Sequence, residues 1–335
     1  MGFRRFESII QNPQSEIQNQ KLKGTVTKST GSWYWVRLED DALIKCRIKG
    51  KFRMQGIKST NPVSVGDHVA VDFEGDEGQG VITKLFDRKN YIVRKSVNLS
   101  KQTHIIAANL DQAILVVTLV SPKTFAGFID RFLATAEAYH IPAVIVFNKI
   151  DLYGEAELAE LEYYDIIYRQ AGYKTLQVSA TNKTNTEAFK VLLKDKVSLL
   201  SGNSGVGKST LVNTVEPLLN LKTKQVSASH DQGMHTTTFA EMFKLSFGGA
   251  IIDTPGIKGF GLYDMDKHEI GDYFPELFRL KENCRFNNCI HINEPGCAVL
   301  KALENNELAP TRYESYFNMI NGLEDENHYR KDIYE

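Results

Sequence analysis

The sequence predicts a multidomain chain: a small β-barrel, then an α/β domain with a parallel sheet, then a mostly helical domain that binds a metal. Three observations lead to this fold class. Short alternating strand patterns fill residues 21–98, apolar runs alternate with helical patterns in 99–262, and cysteines cluster in 263–335. Residues 1–20 are polar and without periodicity, so we expect a disordered tail before the barrel.

The composition is that of an ordinary globular protein. Of its 335 residues, 42% are hydrophobic and 24% are charged. The sequence has no run of eighteen apolar residues, and Met1–Phe6 does not begin a signal-peptide core. We therefore expect a cytoplasmic protein with no membrane partner.

Charge is distributed unevenly along the chain. Residues 1–100 carry 17 Lys and Arg against 11 Asp and Glu, a net charge of +6. The whole chain has a net charge of −1, so the remainder carries −7. A basic first domain predicts a polyanionic partner, although a basic surface that contacts only water is the alternative.

The barrel is predicted from short strands in residues 21–98. Turn residues such as Gly66-Asp67 and Gly75-Asp76 separate the strands, and no helical period occurs. This pattern favours an OB-fold. The predicted strands are Gly24–Thr27, Trp33–Leu38, Ala42–Ile48, Val69–Phe73 and Gly80–Phe86.

Two features of the barrel suit nucleic acid. The segment Lys49–Lys58 holds four basic residues and could grip a phosphate backbone. Trp33 and Trp35 share one face of their strand, with Tyr34 on the other. The two rings could stack on bases, but we expect at least one Trp to pack in the core.

The α/β domain is predicted from the change of rhythm after Ile105, where buried strands alternate with helices. Such alternation predicts a parallel sheet with helices on both faces. The predicted strands are Ala113–Leu119, Ala143–Phe147, Thr175–Val178, Val197–Leu200 and Ala250–Ile252. The predicted helices are Phe125–Tyr139, Glu155–Gln170, Thr186–Leu193 and Ser209–Val215.

A phosphate-binding loop occupies Gly202–Thr210, which matches G-x-x-x-x-G-K-[ST] through Gly202, Gly207, Lys208 and Ser209. Glycines let the backbone N–H groups point at phosphate oxygens. Lys208 would reach the β- and γ-phosphates, and the Ser209 hydroxyl would hold magnesium. A strand before the loop and a helix after it complete the expected context for a nucleotide site.

Two further motifs follow predicted strands. Asn148-Lys149-Ile150-Asp151 resembles the guanine-specificity motif of GTP-binding proteins. The Asp151 carboxylate would accept hydrogen bonds from the ring N–H and amine of guanine, a donor pair that adenine lacks. Asn148 would connect the base site to the phosphate loop, and Lys149 would lie along the base. A helix-capping Asp151 is the alternative. Ser179-Ala180 is uninformative alone, but in GTPases this pair contacts the guanine oxygen.

A polar segment from Leu219 to Met234 leads into His235-Thr236-Thr237-Thr238. A threonine at the end of such a segment suits a switch that completes the magnesium shell, and we assign this role to Thr237. In the following Asp253-Thr254-Pro255-Gly256, Asp253 would hold a magnesium-bound water and the Gly256 N–H would contact the γ-phosphate. The motifs are therefore those of a GTPase in circularly permuted order, which a sheet tolerates when the new termini lie at the surface.

The C-terminal domain contains Cys284, Cys289, His291 and Cys297, which fit a closed structural Cys₃His zinc site. A disulfide with a spare thiol, or free buried thiols, are the alternatives. A cytoplasmic location disfavours disulfides. Cys46 lies far away in the barrel and is expected to be a core residue.

The basic barrel, the permuted GTPase motifs and the Cys-x₄-Cys-x-His-x₅-Cys spacing together resemble the bacterial circularly permuted, small-subunit-dependent GTPases of late ribosome maturation. The resemblance covers residues 21–330 and includes Ile106–Gln112 and Gly233–Thr238. It implies a monomer that binds the small ribosomal subunit, rRNA and GTP or GDP, with magnesium and one zinc. It also implies hydrolysis stimulated by the subunit and release of the factor afterwards. The residues expected to bind GTP are Asn148, Lys149, Asp151, Ser179, Ala180, Gly202, Asn203, Ser204, Gly205, Val206, Gly207, Lys208, Ser209, Thr210, Asp253 and Gly256.

The catalytic residue is less obvious. Ras-like enzymes place a Gln directly after Asp-x-x-Gly to orient water, but this chain has Ile257 there. We expect slow hydrolysis by the protein alone and choose His235 as the catalytic candidate. An exposed His235 that contacts only the partner is the alternative. For the whole protein, the alternatives are a GTP-regulated RNA-binding scaffold with incidental hydrolysis and a P-loop ATPase or kinase, which Asp151 disfavours.

Overall fold

The computed structural model describes residues 22–48, 62–73, 79–95, 103–221, 240–253 and 266–322. Two compact units divide the chain. The first contains the residues up to Asn109 together with Phe239–Met242, and the second contains Leu110–Thr238 and Phe243–Glu335. The predicted disordered tail and basic loop lie outside the described residues, as does most of the predicted switch segment.

The first unit contains a closed five-stranded barrel. Its strands are β1 (Leu22–Ser29), β2 (Tyr34–Leu38), β3 (Leu43–Ile48), β4 (His68–Phe73) and β5 (Gly80–Leu85). The strand order is β1-β2-β3-β5-β4, and β4 pairs back to β1. Only the β3–β5 pair within the barrel is parallel. The prediction of an OB-like barrel is confirmed.

The two tryptophans lie on the outer surface of the barrel. Trp33 and Trp35 are half-buried, whereas Tyr34 between them is 1% exposed and packs in the core. Lys45 Nζ and Arg47 Cζ each lie 4.2 Å from the ring centroid of Trp33. The expectation that a Trp packs in the core is therefore wrong. Side chains alternate along a strand, and the smaller Tyr34 takes the inward position. Cys46 is a core residue, as expected.

An unpredicted antiparallel hairpin follows the barrel. Its strands are β6 (Tyr91–Lys95) and β7 (Thr103–Ala108). Next to it, the buried Asp67 carboxylate accepts two hydrogen bonds of 2.6 Å from the Arg88 guanidinium. Asn109 Nδ2 donates to the Gly66 carbonyl at 2.9 Å. Gly66 has φ +90°, and a Cβ there would lie 2.1 Å from the Ala108 carbonyl oxygen, so only glycine fits.

The second unit is built on a five-stranded parallel sheet. Its strands are β8 (Gln112–Val117), β9 (Ala143–Phe147), β10 (Lys174–Gln177), β11 (Val197–Ser201) and β13 (Ala250–Asp253). The order is β10-β9-β8-β11-β13, with every neighbouring pair parallel. A short unpredicted strand, β12 (Glu241–Lys244), begins in the first unit and ends in the second.

Helices cover both faces of this sheet, as predicted. They are α1 (Ala126–Ala138), α2 (Glu155–Ala171), α3 (Thr186–Leu193) and α4 (Lys208–Val215). On one face, Phe189 of α3 and Leu211 of α4 belong to the same core as Val116 and Ile251. On the other face, the Phe147 ring stacks on Tyr164 of α2, with 6.4 Å between the ring centroids.

The C-terminal helices belong to the same unit. They are α5 (Pro275–Lys281), α6 (Ala298–Glu304) and α7 (Pro310–Asn321). Their core contains Phe274, Leu277, Val299 and Tyr316 and also reaches Ala134 of α1. Among the described residues, no helix combines the length and apolar character needed to cross a bilayer.

A buried ion cluster joins α7 to α1 and α5. Arg312 is 1% exposed, and its Nη1 donates to Asp130 Oδ1 at 2.6 Å. Its Nε and Nη2 donate to the two carboxylate oxygens of Glu276 at 2.6 and 3.1 Å. The Tyr168 hydroxyl donates a further bond of 2.8 Å to Asp130. Burial raises the pKa of the Asp130 carboxyl, and the neighbouring Arg312 charge opposes that shift.

We expect Arg312→Met to destabilise the second unit by about 3–5 kcal/mol, because it leaves two carboxylates in a buried site without their cation. A denaturant titration of the free energy of unfolding measures this. Lys281→Met is the control: it breaks a partly exposed pair with Asp272 at 2.6 Å and should cost less than about 1 kcal/mol. An equal decrease in the free energy of unfolding in the two variants would show that the buried cluster stabilises the protein no more than the exposed pair does.

Candidate functional site

The phosphate-loop motif forms the turn between β11 and α4. Gly202, Gly205 and Gly207 all have positive φ, at +141°, +88° and +90°. A Cβ on Gly202 would lie 2.2 Å from the Val116 carbonyl oxygen. This position therefore requires glycine for both its conformation and its packing. Val206 is fully buried, and it anchors the loop in the core.

Lys208 is held inside this loop. Its Nζ donates to the carbonyl oxygens of Gly202 at 2.7 Å and Asn203 at 2.9 Å. Burial lowers the pKa of the ammonium group, and the Asp253 carboxylate opposes that shift. The ammonium group lies within the turn, where an anion bound by the loop would meet it. The positive charge is poised for phosphate.

Asn148 connects three of the predicted motifs. It is 1% exposed, and its Nδ2 donates to the Val206 carbonyl of the phosphate loop at 2.8 Å. Its Oδ1 accepts from the Ala180 N–H at 3.3 Å. A Cβ on Gly207 would lie 2.6 Å from Asn148 Nδ2, so glycine leaves room for this link. Residues from after β9, β10 and β11 thus meet through one amide.

Asp151 and Lys149 lie beside this link. The Ser179 hydroxyl donates to Asp151 Oδ1 and accepts from the Asn182 N–H at 3.0 Å. Asp151 is exposed, so a bound base would itself have to shield the carboxylate from water. Lys149 has φ +61°, and its Nζ donates to the Ser121 carbonyl at 2.6 Å. Burial lowers the pKa of Lys149, and Asp151 opposes the shift.

Some of the remaining predicted residues are in the described part of the chain, and others lie outside it. Ser209 and Thr210 are in the first turn of α4, and Asp253 ends β13 beside β11. Ser204 and Gly205 are exposed on the loop. A hydroxyl and a carboxylate beside the phosphate loop are the hard oxygen donors that magnesium prefers. The predicted positions Thr237, His235 and Gly256 lie outside the described residues.

The structure also contains contacts that the sequence reasoning missed. The segment Leu119–Thr124 follows β8 at the same edge of the sheet. A Cβ on Gly205 would lie 3.4 Å from Pro122 Cδ. The Ser121 carbonyl accepts the hydrogen bond that Lys149 Nζ donates. The available signal was a proline-containing turn directly after a buried parallel strand, where ligands bind in such sheets.

The four predicted metal ligands lie together. The ligand atoms of Cys284, Cys289, His291 and Cys297 all lie within 4.8 Å of one another. Cys284 Sγ is 4.0 Å from Cys297 Sγ, and these two sulfurs are 3.6 and 3.4 Å from His291 Nδ1. Ligands at about 2.1–2.3 Å around a tetrahedral zinc would be separated by roughly 3.5–3.8 Å. The cluster therefore fits a tetrahedral metal ion.

Neighbouring groups shape the loop that carries these ligands. The Glu294 carboxylate accepts from the N–H groups of Ile290 and Ile292, and the Tyr313 hydroxyl donates to the His291 carbonyl at 2.8 Å. Burial raises the pKa of the Cys289 thiol to about 12. A bound cation would reverse this shift, because cysteine ligates metals as the thiolate.

Two protein-family models match this chain. The RsgA GTPase family model matches residues 85–263, and the RsgA N-terminal domain model matches residues 23–82. A protein of Christiangramia forsetii named small ribosomal subunit biogenesis GTPase RsgA is 58% identical over 316 residues. The alignment covers 94% of this chain and 100% of that protein.

Solved structures are similar over the same length. The crystal structure of YjeQ from Thermotoga maritima has a TM-score of 0.75 and 35% identity, covering 91% of this chain and 99% of that one. The crystal structure of YloQ, described as a circularly permuted GTPase, has a TM-score of 0.70 and 29% identity, covering 92% and 96%. The chain therefore belongs to the RsgA GTPase family and is a GTP hydrolase with circularly permuted motifs.

Proposed function

We propose that this protein matures the small ribosomal subunit: it binds GTP at the carboxyl edge of its parallel sheet and hydrolyses it when the subunit is bound. The Asn148 amide carries this proposal, because it joins the phosphate loop, the guanine motif and Ala180 at one point. Relatives named small ribosomal subunit biogenesis GTPase support the subunit as partner. The protein would act as a monomer in the cytoplasm, because bacterial ribosomal subunits mature there.

In the proposed nucleotide site, the backbone N–H groups from Asn203 to Thr210 cradle the phosphates and Lys208 neutralises them. Asp151 accepts from the N–H and amine of guanine, and Ser179 orients the Asp151 carboxylate. The Ala180 N–H, which donates to Asn148 Oδ1 at 3.3 Å, would be shared with the guanine oxygen. Lys149 lies along the base. The Gly256 N–H contacts the γ-phosphate.

Magnesium would be held by the hydroxyls of Ser209 and Thr237, with Asp253 reaching it through water. When bound, the ion spreads the negative charge that develops on the phosphate oxygens during hydrolysis. Ile257 offers no hydrogen bond to the attacking water, so another residue must position it. We assign this role to His235 when the subunit is bound.

The first unit supplies the contact to rRNA. Its residues 1–100 carry the net charge of +6. Trp33, just before β2, and Trp35, within β2, lie beside the basic side chains of β3. On β1, which pairs with the other edge of β2, Lys28 Nζ also lies 5.7 Å from the Trp35 ring centroid. Cations that neutralise phosphates and rings that stack on bases suit an RNA surface.

The Cys₃His cluster is proposed to hold one structural zinc. All four ligand positions come from protein side chains, so no coordination position remains for a substrate. Metal binding would add to the apolar core of α5, α6 and α7 and supply part of the free energy that folds this region.

For guanine recognition we expect Asp151→Asn to weaken GDP binding about 10- to 100-fold, because hydrogen bonds to a charged acceptor are lost. The same variant should favour xanthosine diphosphate, whose ring carbonyl matches an amide donor. Competition binding with the two nucleotides measures the change. Glu162→Gln, an exposed carboxylate-to-amide change on α2, is the control and should bind GDP as the wild type does. Unchanged GDP affinity in Asp151→Asn would refute the assignment.

For the metal we expect one zinc per chain in freshly purified protein and almost none in Cys289→Ser. Removing a thiolate leaves an incomplete ligand set that cannot retain the ion through dialysis. Elemental analysis measures the content, and protease sensitivity of residues 266–322 reports the loss of structure. Cys46→Ser is the matched control, because this buried thiol is in the barrel core and should leave the zinc content at one. A metal-free wild type, or Cys289→Ser with a full zinc complement, would contradict the proposal.

For catalysis we expect single-turnover GTP hydrolysis to be slow in the protein alone and much faster with small ribosomal subunits. His235→Ala should lose roughly 100-fold of the stimulated rate, the scale of general base catalysis, while retaining nucleotide and subunit binding. His268→Ala, an exposed histidine change in the described part of the second unit, is the control.

The same assay separates the enzyme from an RNA-binding scaffold. At subunit concentrations below saturation, stimulation should fall steeply as salt rises, because phosphate contacts release counterions. Hydrolysis that subunits do not stimulate would favour the scaffold with incidental hydrolysis. A stimulated rate that His235→Ala leaves unchanged would remove the histidine from the mechanism.

A further inference from the structure

The segment Leu119–Thr124 lies against two parts of the proposed guanine site. Its Ser121 carbonyl accepts the Lys149 ammonium bond at 2.6 Å, and Pro122 lies next to Gly205 of the phosphate loop. Neither the phosphate-loop motif nor the guanine motif includes this segment. Its contacts therefore need a separate explanation.

Tyr153 connects the same segment to Asn148. The Tyr153 hydroxyl accepts from the Leu119 N–H at 3.0 Å and donates to the Asn148 carbonyl at 2.9 Å. Tyr153 is 9% exposed, so the two bonds are shielded from water. Burial raises the pKa of the phenol to about 12, and the neutral hydroxyl can both accept and donate.

Two buried threonines stabilise the turn from within. Thr118 Oγ1 donates to the Pro122 carbonyl at 2.5 Å, and the Thr124 N–H donates to the Thr118 carbonyl at 2.8 Å. The Thr118 N–H donates to Thr124 Oγ1 at 3.3 Å. On the outer side, Lys123 pairs with Glu160 of α2 at 2.9 Å. The Ser121 carbonyl is thus presented by a turn whose ends are fixed.

We propose that Leu119–Thr124 is a positioning segment for the guanine base, acting on Lys149 through the Ser121 carbonyl and on Asn148 through the Tyr153 hydroxyl. The inference rests on the proposed function, since it concerns how that guanine site is formed. A lysine side chain has four rotatable bonds, and ordering it only when the base arrives would reduce affinity. The segment orders Lys149 beforehand, so the nucleotide meets a formed base site.

This role differs from general support of the fold. Tyr153 and Ser121 contact the two residues that flank the base, whereas the core beneath them is packed by other side chains. A segment that only stabilised the fold would change the free energy of unfolding and leave nucleotide selectivity unaltered. A positioning segment changes selectivity, because the Asp151 hydrogen bond to the guanine amine depends on how the base is oriented.

Tyr153→Phe is the first test, because it removes the bridging hydroxyl with almost no change in volume. We expect GDP to bind about five- to twenty-fold more weakly, the scale of two lost buried hydrogen bonds. The preference for GDP over inosine diphosphate, which lacks the amine, should shrink as well. Tyr34→Phe is the matched control: Tyr34 is a buried tyrosine of the barrel core, and its hydroxyl donates to the Gly31 carbonyl at 3.4 Å. It should keep both affinities.

Thr118→Val provides a second test that does not change Tyr153. It keeps the shape of the side chain but loses the bond to the Pro122 carbonyl, and Thr118→Ser should restore nucleotide binding by restoring the hydroxyl. A double-mutant cycle with Lys149→Met then asks whether Thr118 acts through the lysine. We expect the two losses in GDP affinity to be non-additive, since both variants release the same ammonium contact.

The outcomes distinguish this inference from the proposed function. If Asp151→Asn loses guanine selectivity while Tyr153→Phe and Thr118→Val keep the wild-type preference for GDP over inosine diphosphate, the positioning role is overturned and the guanine site stands. Additive losses in the cycle would also overturn it. If Asp151→Asn itself leaves GDP binding unchanged, the proposed guanine site is refuted, and the positioning role is refuted with it.

Discussion

The side-chain amide of Asn148 meets backbone groups from two other parts of the chain. Its Nδ2 bond to the Val206 carbonyl is formed in a fully packed site, and the missing side chain of Gly207 makes room for it. Losing either end would leave a buried polar group without a partner, which costs more than the bond itself contributes. The phosphate loop and the proposed base site are therefore coupled through Asn148. Neither backbone segment can move far without moving the other.

This constraint explains why the permuted order of motifs is harmless to the chemistry. In a parallel sheet the carboxyl ends of all strands meet at one edge, whatever order the chain visits them. Asn148, Ala180 and Val206 follow three different strands and still meet within hydrogen-bonding distance. What permutation changes is the covalent order: in sequence, the C-terminal helices come after Asp253, and they belong to the same unit.

Local patterns predicted much of this molecule, because strand alternation, loop glycines and ligand spacing are written in neighbouring residues. The metal cluster is one example, since its four ligands lie within fourteen positions of sequence. Contacts between distant residues left no such pattern. Tyr153 looks like any core tyrosine until Leu119 and Asn148 are seen at its hydroxyl, and Arg312 looks like an ordinary surface residue of α7. Alternation places Trp33 and Trp35 on one face of the strand and Tyr34 on the other, but it does not determine which face turns inward.

The Arg312–Asp130 pair has a consequence for how the chain is made. The two residues are 182 positions apart, yet the pair links α1 directly to α7. During synthesis the chain emerges from its amino end, so Asp130 is available long before its partner exists. The carboxylate must stay hydrated until α7 is released, and α1 cannot take up its final packing before then. The second unit can therefore be completed only after Arg312 has left the ribosome, at least 182 residues later than Asp130.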